Sequence, residues 1–269
     1  MNRASDLPLE LGRDGSAYRI AAAKERSERL CGACSLAGGC LPGSLPPRDF
    51  QAVEQLARRK RRLAEGAMLC RAGESFRNLF VVRSGALKSV RAAGGTQRIM
   101  AFHLPGDMVG LDAISTGQHG EDVIAMEDSE VCLVAFAELQ RLQEDSPGLQ
   151  RRLLRILSAH LIGAQALTLL LGGMSAEQRI AAFLLMLSKR HEDLGYAPNR
   201  FVLRMRQIEI GSYLGLTYET VSRAFAQLKR QGLISVERHH WKYREIELRD
   251  HCALREMVGF DEAPARRRS

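Results

Sequence analysis

The hydrophobic pattern of this chain changes its period once, near Pro147, and no all-α or all-β fold accommodates both parts. Before Pro147, short apolar runs alternate with glycines, at residues 68–70, 79–82, 86–90, 99–102, 123–125 and 131–134. Strands of this length, with turn signals about every 8 to 12 residues, are typical of an antiparallel roll or sandwich. The sequence therefore predicts an α+β fold that begins with an antiparallel β-roll.

From Pro147 to about residue 171 the apolar positions instead follow a helical period. Six of them repeat at spacings of three and four and form a narrow seam: Leu154, Leu157, Leu161, Ala164, Thr168 and Leu171. Such a seam suits a two-stranded coiled coil, so we predict a dimerisation helix over 147–173. The alternative is a helix packed on its own domain, because further apolar residues widen this face. They are Leu153, Ile156, Ile162 and Leu167.

The length of 269 residues allows about two domains, each with its own core. We predict a mobile N-terminus over 1–30, a cysteine loop and β-roll over 31–146, and a second domain over 174–250, after the dimerisation helix. The remaining residues, 251–269, are predicted to form a partly disordered tail, because the last eight have nothing to bury. Within the first domain, a helix is expected over 48–62, where it ends in a basic run.

The charge balance favours a polyanionic partner, either a nucleic acid or a membrane surface, because 39 Lys and Arg oppose 31 Asp and Glu.

Polar residues and a glycine interrupt the most apolar stretch, 161–171, and charged residues break up the start of the chain. We therefore expect no transmembrane segment, no secretory signal and a cytoplasmic location. In that reducing compartment, closely spaced cysteines indicate metal or redox chemistry rather than disulfides.

Three cysteines, Cys31, Cys34 and Cys40, lie within ten residues in a loop rich in Gly, Ser and Pro. Cys132, in the last predicted strand of the roll, is the candidate for a fourth ligand. Four thiolates suit either tetrahedral zinc or an iron–sulfur cluster, since both prefer sulfur ligands. The spacing differs from the paired knuckles of structural zinc sites and favours the cluster. The two remaining cysteines are interpreted as small apolar residues.

Two helical segments of the second domain, Gln207–Leu214 and residues 218–231, are separated by only three residues. Gly215 can end the first helix in the left-handed conformation, and Thr217 can cap the second. This spacing predicts a helix-turn-helix. A hairpin wing is predicted to follow, with strands near 233–236 and 243–248.

The start of the second helix carries residues suited to contacts with base edges. Glu219, Ser222 and Arg223 share one face, and Thr217 and Tyr218 lie beside them. A carboxylate accepts from cytosine N4 and an arginine donates to guanine, so we predict that this face enters the major groove of double-stranded DNA. The alternative is a surface ion pair between Glu219 and Arg223. Phosphate contacts are predicted in the wing, at Arg238, Lys242 and Arg244.

Four motifs, spread from about residue 31 to residue 248, together match the pattern of one family. They are Cys31-x2-Cys34-x5-Cys40-x-Pro42, the segment Phe102-His-Leu-Pro-Gly-Asp-Met-Val-Gly-Leu-Asp-Ala113, Cys132, and Tyr218-Glu-Thr-Val-Ser-Arg223. In these motifs the chain resembles the CRP/FNR superfamily of bacterial transcription regulators, and within it the oxygen-responsive FNR and Anr group.

The resemblance implies a sensor domain formed by a β-roll like that of cyclic-nucleotide-binding proteins, then the dimerisation helix and a winged helix-turn-helix domain. It implies a homodimer with one [4Fe-4S] cluster per subunit on Cys31, Cys34, Cys40 and Cys132. The intact cluster would favour pairing of the helices and binding to a palindrome similar to TTGAT-N4-ATCAA. Oxygen would convert the cluster to a [2Fe-2S] form and then remove it, which would switch anaerobic gene expression. RNA polymerase is the implied partner at promoters.

Three departures from the group's pattern affect these implications. Gly39 precedes Cys40 where relatives carry a leucine thought to shield the cluster, so oxygen access is expected to be easier. Ala164 occupies the seam position of an aspartate whose repulsion opposes pairing, so we expect dimerisation to depend less on the cluster. Residues 91–97 lack the acidic residues usual in a loop that touches RNA polymerase, which weakens the case for that contact.

Other functions are less consistent with the sequence. A cyclic-nucleotide regulator needs an Arg-Ser pair to hold the phosphate, but Glu121 and Asp122 stand there and would repel an anion. A structural zinc protein of the same family remains an alternative. An enzyme would need acid, base or nucleophile residues in company, and His103 and Asp107 are interpreted as structural residues of a turn, so we expect no enzymatic activity.

Overall fold

The computed structural model describes residues 31–34, 36, 39–43, 45–238 and 243–259. The predicted mobile N-terminus over 1–30 and the last residues of the predicted tail, 260–269, lie outside the described residues. Lys242, a predicted phosphate contact at the tip of the wing, also lies outside them.

Helices and strands follow one another in the order that the change of period predicts. The helices are α1 (Pro47–Leu56), α2 (Phe136–Glu144), α3 (Pro147–Gly173), α4 (Ala176–Asp193), α5 (Gln207–Leu214), α6 (Tyr218–Arg230) and α7 (His251–Val258). The strands are β1 (Lys60–Leu63), β2 (Met68–Cys70), β3 (Asn78–Ser84), β4 (Leu87–Ala93), β5 (Thr96–His103), β6 (Met108–Val109), β7 (Asp122–Ala125), β8 (Ser129–Ala135), β9 (Arg200–Leu203), β10 (Ile234–Arg238) and β11 (Arg244–Leu248).

The predicted β-roll is confirmed as two antiparallel four-stranded sheets, with strand orders β1-β8-β3-β6 and β2-β7-β4-β5. Apolar side chains from both sheets form a shared core, which includes Leu69, Phe80, Val82, Leu87, Val123 and Val131. The turn between β3 and β4 requires Gly85, since φ there is +85° and a Cβ atom would lie 2.7 Å from the Cα of Ser129.

The predicted helix over 48–62 is wrong in its second half. α1 ends at Leu56, and residues 60–63 form β1, an edge strand that pairs with β8. The basic run is compatible with a helix by propensity, but pairing with β8 decides the conformation. Charged residues are also typical of exposed edge strands. The pairing sets Lys60 opposite Cys132.

The second domain combines α4, the helix-turn-helix and a three-stranded sheet of order β10-β11-β9. β9 was not predicted. The predicted tail over 251–269 is wrong at its start, because α7 packs on α4 with Leu254 and Val258 buried. The Asp250 side chain caps this helix by accepting from the Ala253 amide at 2.9 Å. The sequence interpretation merged this amphipathic helix with the arginine-rich residues after it.

The second domain packs against β4 and β5 of its own roll. Phe102 of the roll lies against Phe183 and Tyr213, in a core shared by both domains. Polar contacts reinforce the interface: Lys88 Nζ lies 2.7 Å from Glu209 Oε1, and the Ile99 amide donates to Ser212 Oγ at 3.0 Å. The helix-turn-helix is therefore fixed relative to the roll by groups on α5.

His103 and Asp107 both serve structural contacts. His103 Nε2 lies 2.7 Å from Ser89 Oγ inside the roll, and burial, with the neighbouring His160 and Arg190, lowers the pKa of His103 to about 3. Its ring is therefore neutral at pH 7. Asp107 accepts from the Leu104 amide and pairs with Arg190 of α4.

We predict that Lys88→Met lowers the free energy of unfolding by about 1–2 kcal/mol at pH 7, because the substitution leaves the buried Glu209 carboxylate without its lysine. Burial opposes ionisation of Glu209, but hydrogen bonds from Lys88 and Arg206 outweigh it and hold the pKa below its ordinary value. The difference between wild type and variant is therefore full above about pH 4.3 and shrinks as the pH falls below it.

Urea unfolding at several pH values measures this difference. The control is Lys189→Met, which removes a lysine from an exposed ion pair and should change stability little. Equal effects of the two substitutions at pH 7 would contradict the role given to Lys88.

Candidate functional site

The structure brings the four predicted cysteines to one pocket. Cys31, Cys34 and Cys40 come from the loop before α1, and Cys132 comes from the middle of β8. Backbone hydrogen bonds fold the loop back on itself: the Cys34 amide donates to the Cys31 carbonyl at 3.0 Å, and the Cys40 amide to the Leu36 carbonyl at 2.8 Å. Short-range turns thus gather three thiols, and the sheet supplies the fourth.

Apolar side chains form most of the remaining wall of this pocket. They are Leu36, Leu41, Pro42, Val53, Ala57, Val81, Val82 and Val134. Arg83 of β3 also lines the pocket, and its guanidinium pairs with Glu130 and hydrogen-bonds to Cys34. A fixed cation therefore lies beside the thiols in apolar surroundings.

The pKa values of the pocket thiols show the cost of ionising them there. Burial, with the nearby Cys132 and Glu54, raises the pKa of Cys31 to about 11. Burial also raises the pKa of Cys40 to about 12 and raises that of Cys132, although Arg83 and Lys60 oppose the shift at Cys132. At neutral pH these three side chains are thiols until a positive group stabilises the thiolates.

The donor set fits a sulfur-ligated metal centre, since four soft ligands line one largely apolar pocket. As the side chains lie, no group of three or more His, Cys, Asp or Glu within the described residues is gathered closely enough to hold a single metal ion. The donor types by themselves leave zinc and an iron–sulfur cluster both open.

The cysteine loop also contacts the long helix α3. Arg152 Nη2 donates to the carbonyls of Gly39 and Cys40, each at 2.8 Å. Leu153 and Ile156, one face of the same helix, pack on the core that carries Cys40. A Cβ atom at Gly39 would lie 3.5 Å from Leu194 Cδ2, just past the end of α4, so this leucine lies beside an exposed part of the loop.

All six seam residues of α3 are exposed in the single chain. Leu154 and Leu161 each leave 60% of their surface exposed, and Ile162 beside them leaves 61%. A different face of α3 does pack on its own chain, as the alternative predicts. It carries Leu153, Ile156 and Leu167. α3 therefore has one face packed on its own chain and one that is left uncovered by residues 31–259 as far as they are described.

α3 also has the length and apolar composition of a helix that crosses a membrane. Gly163, Gln165 and Thr168 are uncharged and hardly reduce the apolar character of α3, so the argument that they rule out a span by composition is wrong. That the chain holds no such segment stays a prediction. Length and composition do not distinguish a membrane span from a helix that pairs with another copy of itself.

The helix-turn-helix has the local geometry that its sequence predicts. Gly215 ends α5 with φ at +65°, and Thr217 caps α6 by accepting from the Thr220 amide at 3.2 Å. A Cβ atom at Gly211 would lie 2.6 Å from the Leu216 carbonyl oxygen, so this position accepts only glycine. These contacts set α6 at its angle to α5.

Glu219, Ser222 and Arg223, here called the reading face, lie on the first two turns of α6, with Glu219 and Arg223 exposed. Arg223 Nη2 lies 3.4 Å from Thr220 Oγ1. Within α6, all of which the structure describes, no ion pair within 4.0 Å joins Glu219 to Arg223. The surface ion pair considered as an alternative is thus not formed. The backbone amide of Glu219, the Thr217 hydroxyl and Arg223 lower the pKa of Glu219, so it is ionised at neutral pH.

Arginines flank the reading face on both sides. A broad cleft between the helix-turn-helix and the wing is lined by Arg206, Arg238 and Arg244, with Tyr218 at its edge. Arg230 lines a second cleft on the other side of α6. Arg206 and Arg230 were not singled out from the sequence, although a basic residue at a helix N-cap, where a Ser, Thr or Asp is usual, could have drawn attention to Arg206.

Three carboxylates lie at and near the segment of the roll that lacks the Arg-Ser pair expected of a cyclic-nucleotide regulator. Glu121 lies 3.7 Å from Arg91, Asp122 accepts from the Ala72 amide at 2.8 Å, and Asp112 accepts from the Gly120 amide at 2.8 Å. Three negative side chains in one region disfavour a bound phosphate.

The two remaining cysteines differ from each other. Cys70 is buried in β2, as its interpretation as a small apolar residue requires. That interpretation is wrong for Cys252, because α7 holds it on the exposed side of the helix, opposite the buried Leu254 and Val258 face that packs on α4.

Two known domain families match the chain. Residues 60–146 match the cyclic nucleotide-binding domain, and residues 178–257 match the Crp-like helix-turn-helix domain.

Relatives match over nearly their whole length. The transcriptional activator protein Anr of Pseudomonas aeruginosa is 39% identical, over 85% of this chain and 92% of that protein. The fumarate and nitrate reduction regulatory protein of Escherichia coli is 36% identical, over 85% of this chain and 90% of that protein. The solved structure of FixK2 from Bradyrhizobium japonicum is similar with a TM-score of 0.67 and 30% identity, over 76% of this chain and 98% of that one.

We predict that iodoacetamide modifies Cys252 first in the reduced, metal-free protein at pH 8, because Cys252 is exposed while burial raises the pKa of Cys31 and Cys40. The reaction rates of Cys31 and Cys40 should rise about tenfold per pH unit toward pH 10, following the thiolate fraction. Peptide mass spectrometry measures each site, and Cys252→Ser identifies the early product. Modification of all three at one rate in the folded protein would contradict this placement.

Proposed function

The chain belongs to the CRP/FNR family of transcription regulators, and from this premise we propose that it is an oxygen-responsive member that controls anaerobic gene expression. We propose that Cys31, Cys34, Cys40 and Cys132 hold one [4Fe-4S] cluster per subunit. The observation that carries the proposal is that Cys132 of β8, distant in sequence, lines one pocket with the three cysteines of the loop, beside the dimerisation helix. One relative is named for the regulation of fumarate and nitrate reduction.

The residues of the pocket would supply the thiolates and their electrostatic support. The four cysteines would bind through sulfur, and the charges of Arg83 and Lys60 would stabilise the thiolates that burial disfavours. The cluster would supply an oxygen-labile group that holds the loop on β8 while it is present. Structural zinc is the second candidate, supported by the same donor set but not by the spacing of the loop cysteines.

The active form in this proposal is a homodimer paired through the seam of α3. Burying an exposed leucine contributes about 1.5 kcal/mol or more, and several leucines lie along this face. Ala164 brings no charge to the pairing, so we expect dimerisation to depend less on the cluster than an aspartate there would make it. Pairing in this way buries the exposed apolar face of α3, so no membrane is needed to cover it. We therefore expect a cytoplasmic protein.

DNA recognition in this proposal uses one reading face per subunit. A two-fold axis between paired α3 helices gives a palindromic site with half-sites about 34 Å apart, and TTGAT-N4-ATCAA is the expected pattern. Glu219 and Arg223 would contact base edges, with Ser222, Thr217 and Tyr218 beside them. Arginines in the flanking clefts would contact phosphates and hold α6 in the groove.

RNA polymerase is the expected partner at promoters, and we expect a regulator rather than an enzyme. Residues 91–97, which resemble a polymerase-contacting loop, form the tip of the β4–β5 hairpin and turn at the left-handed Gly94 and Gly95. Arg91 begins this segment and Arg98 follows it, so its charge is positive where the group's pattern is acidic.

We predict that Cys132→Ser abolishes stable iron and sulfide loading, because it removes the only proposed ligand that comes from the sheet. Iron and acid-labile sulfide in protein prepared without oxygen provide the measurement. Cys252→Ser, which changes an exposed cysteine outside the pocket, is the matched control and should load normally. Normal iron content in Cys132→Ser would assign the fourth ligand elsewhere.

We predict that Arg223→Ala weakens binding to the expected palindrome by about 1–3 kcal/mol and relaxes preference at one base pair per half-site. Competition binding against single-base variants of the site at fixed salt measures both effects. Arg206→Ala is the comparison: as a phosphate contact it should weaken binding to all sequences alike and reduce the salt dependence. Unchanged base preference in Arg223→Ala would remove Arg223 from base recognition.

A further inference from the structure

Arg152 joins the dimerisation helix to the cysteine loop. From the second turn of α3, one nitrogen of its guanidinium donates to two consecutive carbonyls, those of Gly39 and Cys40, both at 2.8 Å. The second carbonyl belongs to a residue whose side chain lines the pocket. A permanent charge on α3 thus binds the backbone of a cysteine of the site.

The neighbouring arginines do not share this environment. Arg151 and Arg155 are exposed, whereas Arg152 is half-buried, and its Nε is inaccessible and has no hydrogen-bond partner among the described residues. Burying part of a guanidinium is costly unless its remaining donors are well satisfied. The two loop carbonyls are therefore what keeps Arg152 in this position.

Other contacts of α3 reach groups that belong to the rest of the fold. Ser146, which caps α3, bonds to Asp49 of α1, and Leu149 is fully buried in the core of α1 and the roll. These contacts do not involve the backbone of the cysteine loop. The Arg152 hydrogen bonds do, so they respond to the position of Cys40.

We propose that Arg152 is the positioning residue that couples the state of the cysteine site to the first turns of the dimerisation helix. The inference deepens the proposed function and rests on it. When the Cys40 thiolate is held in the pocket, its peptide is fixed, and Arg152 keeps two acceptors. When Cys40 is released, the loop carbonyls are free to turn away, and Arg152 loses the bonds that offset its burial.

Coupling of this kind acts in both directions. A loop fixed on β8 stabilises the start of α3 against local opening, and a paired α3 stabilises the loop. Arg152 lies two positions before Leu154, the first seam residue. Local opening of the helix at Arg152 therefore also disturbs the start of the seam.

Hydrogen–deuterium exchange of full-length protein, loaded and metal-free, tests this coupling without relying on activity. In wild type, loading should slow exchange of the amides of residues 149–157 by about tenfold, as expected for a charge-assisted hydrogen bond formed in one state only. In Arg152→Gln the slowing should fall to about twofold or less. Arg151→Gln removes the same charge from the same turn without touching the loop and should keep the wild-type slowing.

The outcomes separate this inference from the proposed function. If wild type takes up no iron and sulfide, the proposed function fails and the inference falls with it. If wild type loads but shows no slowing, or if Arg152→Gln keeps it, the cluster proposal stands and the role of Arg152 is overturned. If Arg152→Gln and Arg151→Gln lose the slowing of exchange equally, the effect depends on charge alone, and the role given to the Arg152 hydrogen bonds is overturned.

A second variant guards against misfolding of Arg152→Gln. Arg152→Lys keeps the charge, but the lysine side chain is one atom shorter than that of arginine, so its ammonium reaches the two carbonyls less well and the slowing should be intermediate. Iron content is measured for every variant, so that loaded samples are compared at equal occupancy. Full wild-type slowing in Arg152→Lys would show that charge near the loop suffices and would overturn the specific contact.

Discussion

No other part of the chain that the structure describes covers the outer face of α3, and the arrangement of the other elements follows from this constraint. Its inner face is anchored on the roll, where Leu149 is fully buried, while Leu154 and Leu161 remain mostly in water. Apolar side chains at the spacing of a coiled coil gain most by pairing with an identical face. In the proposed dimer, this pairing sets the two-fold axis and with it the separation of the two α6 helices.

The other elements connect that axis to the two proposed sites. The cysteine loop meets α3 at its first turns through Arg152, and the helix-turn-helix is held on the roll by contacts such as Lys88 with Glu209. A change at the cysteine site therefore has a short physical route to the seam. The reading face does not need to move relative to its own roll for this route to affect DNA binding, because pairing alone decides whether two half-sites are bound together.

Features that depend on local sequence were predictable. The change of period at Pro147 gave the roll and the long helix, and Gly215 with Thr217 gave the turn of the helix-turn-helix because both act within a few residues. Features that depend on distant pairing were not. β1 is a strand because β8 lies beside it. The role of Arg152 had no sequence signal, since an arginine in the first turns of a helix is ordinarily a solvated residue.

The same distinction applies to the cysteine site. The spacing of Cys31, Cys34 and Cys40 predicted three ligands, and the structure brings Cys132 to them from β8. Arg83 and Leu194, which complete the surroundings of the loop, come from β3 and from the end of α4, and no pattern near the cysteines indicates either residue. Zinc and a cluster use the same thiolates, so the sequence separates them only by spacing.

The central claim is that these four cysteines hold an oxygen-labile iron–sulfur cluster. The most direct measurement is the visible absorption of protein purified without oxygen, with its iron, acid-labile sulfide and zinc content, before and after exposure to air. The account predicts a brown protein with about four irons and four sulfides per chain that bleaches in air. A colourless protein that contains zinc, or one that holds no metal even after cluster reconstitution, would contradict it.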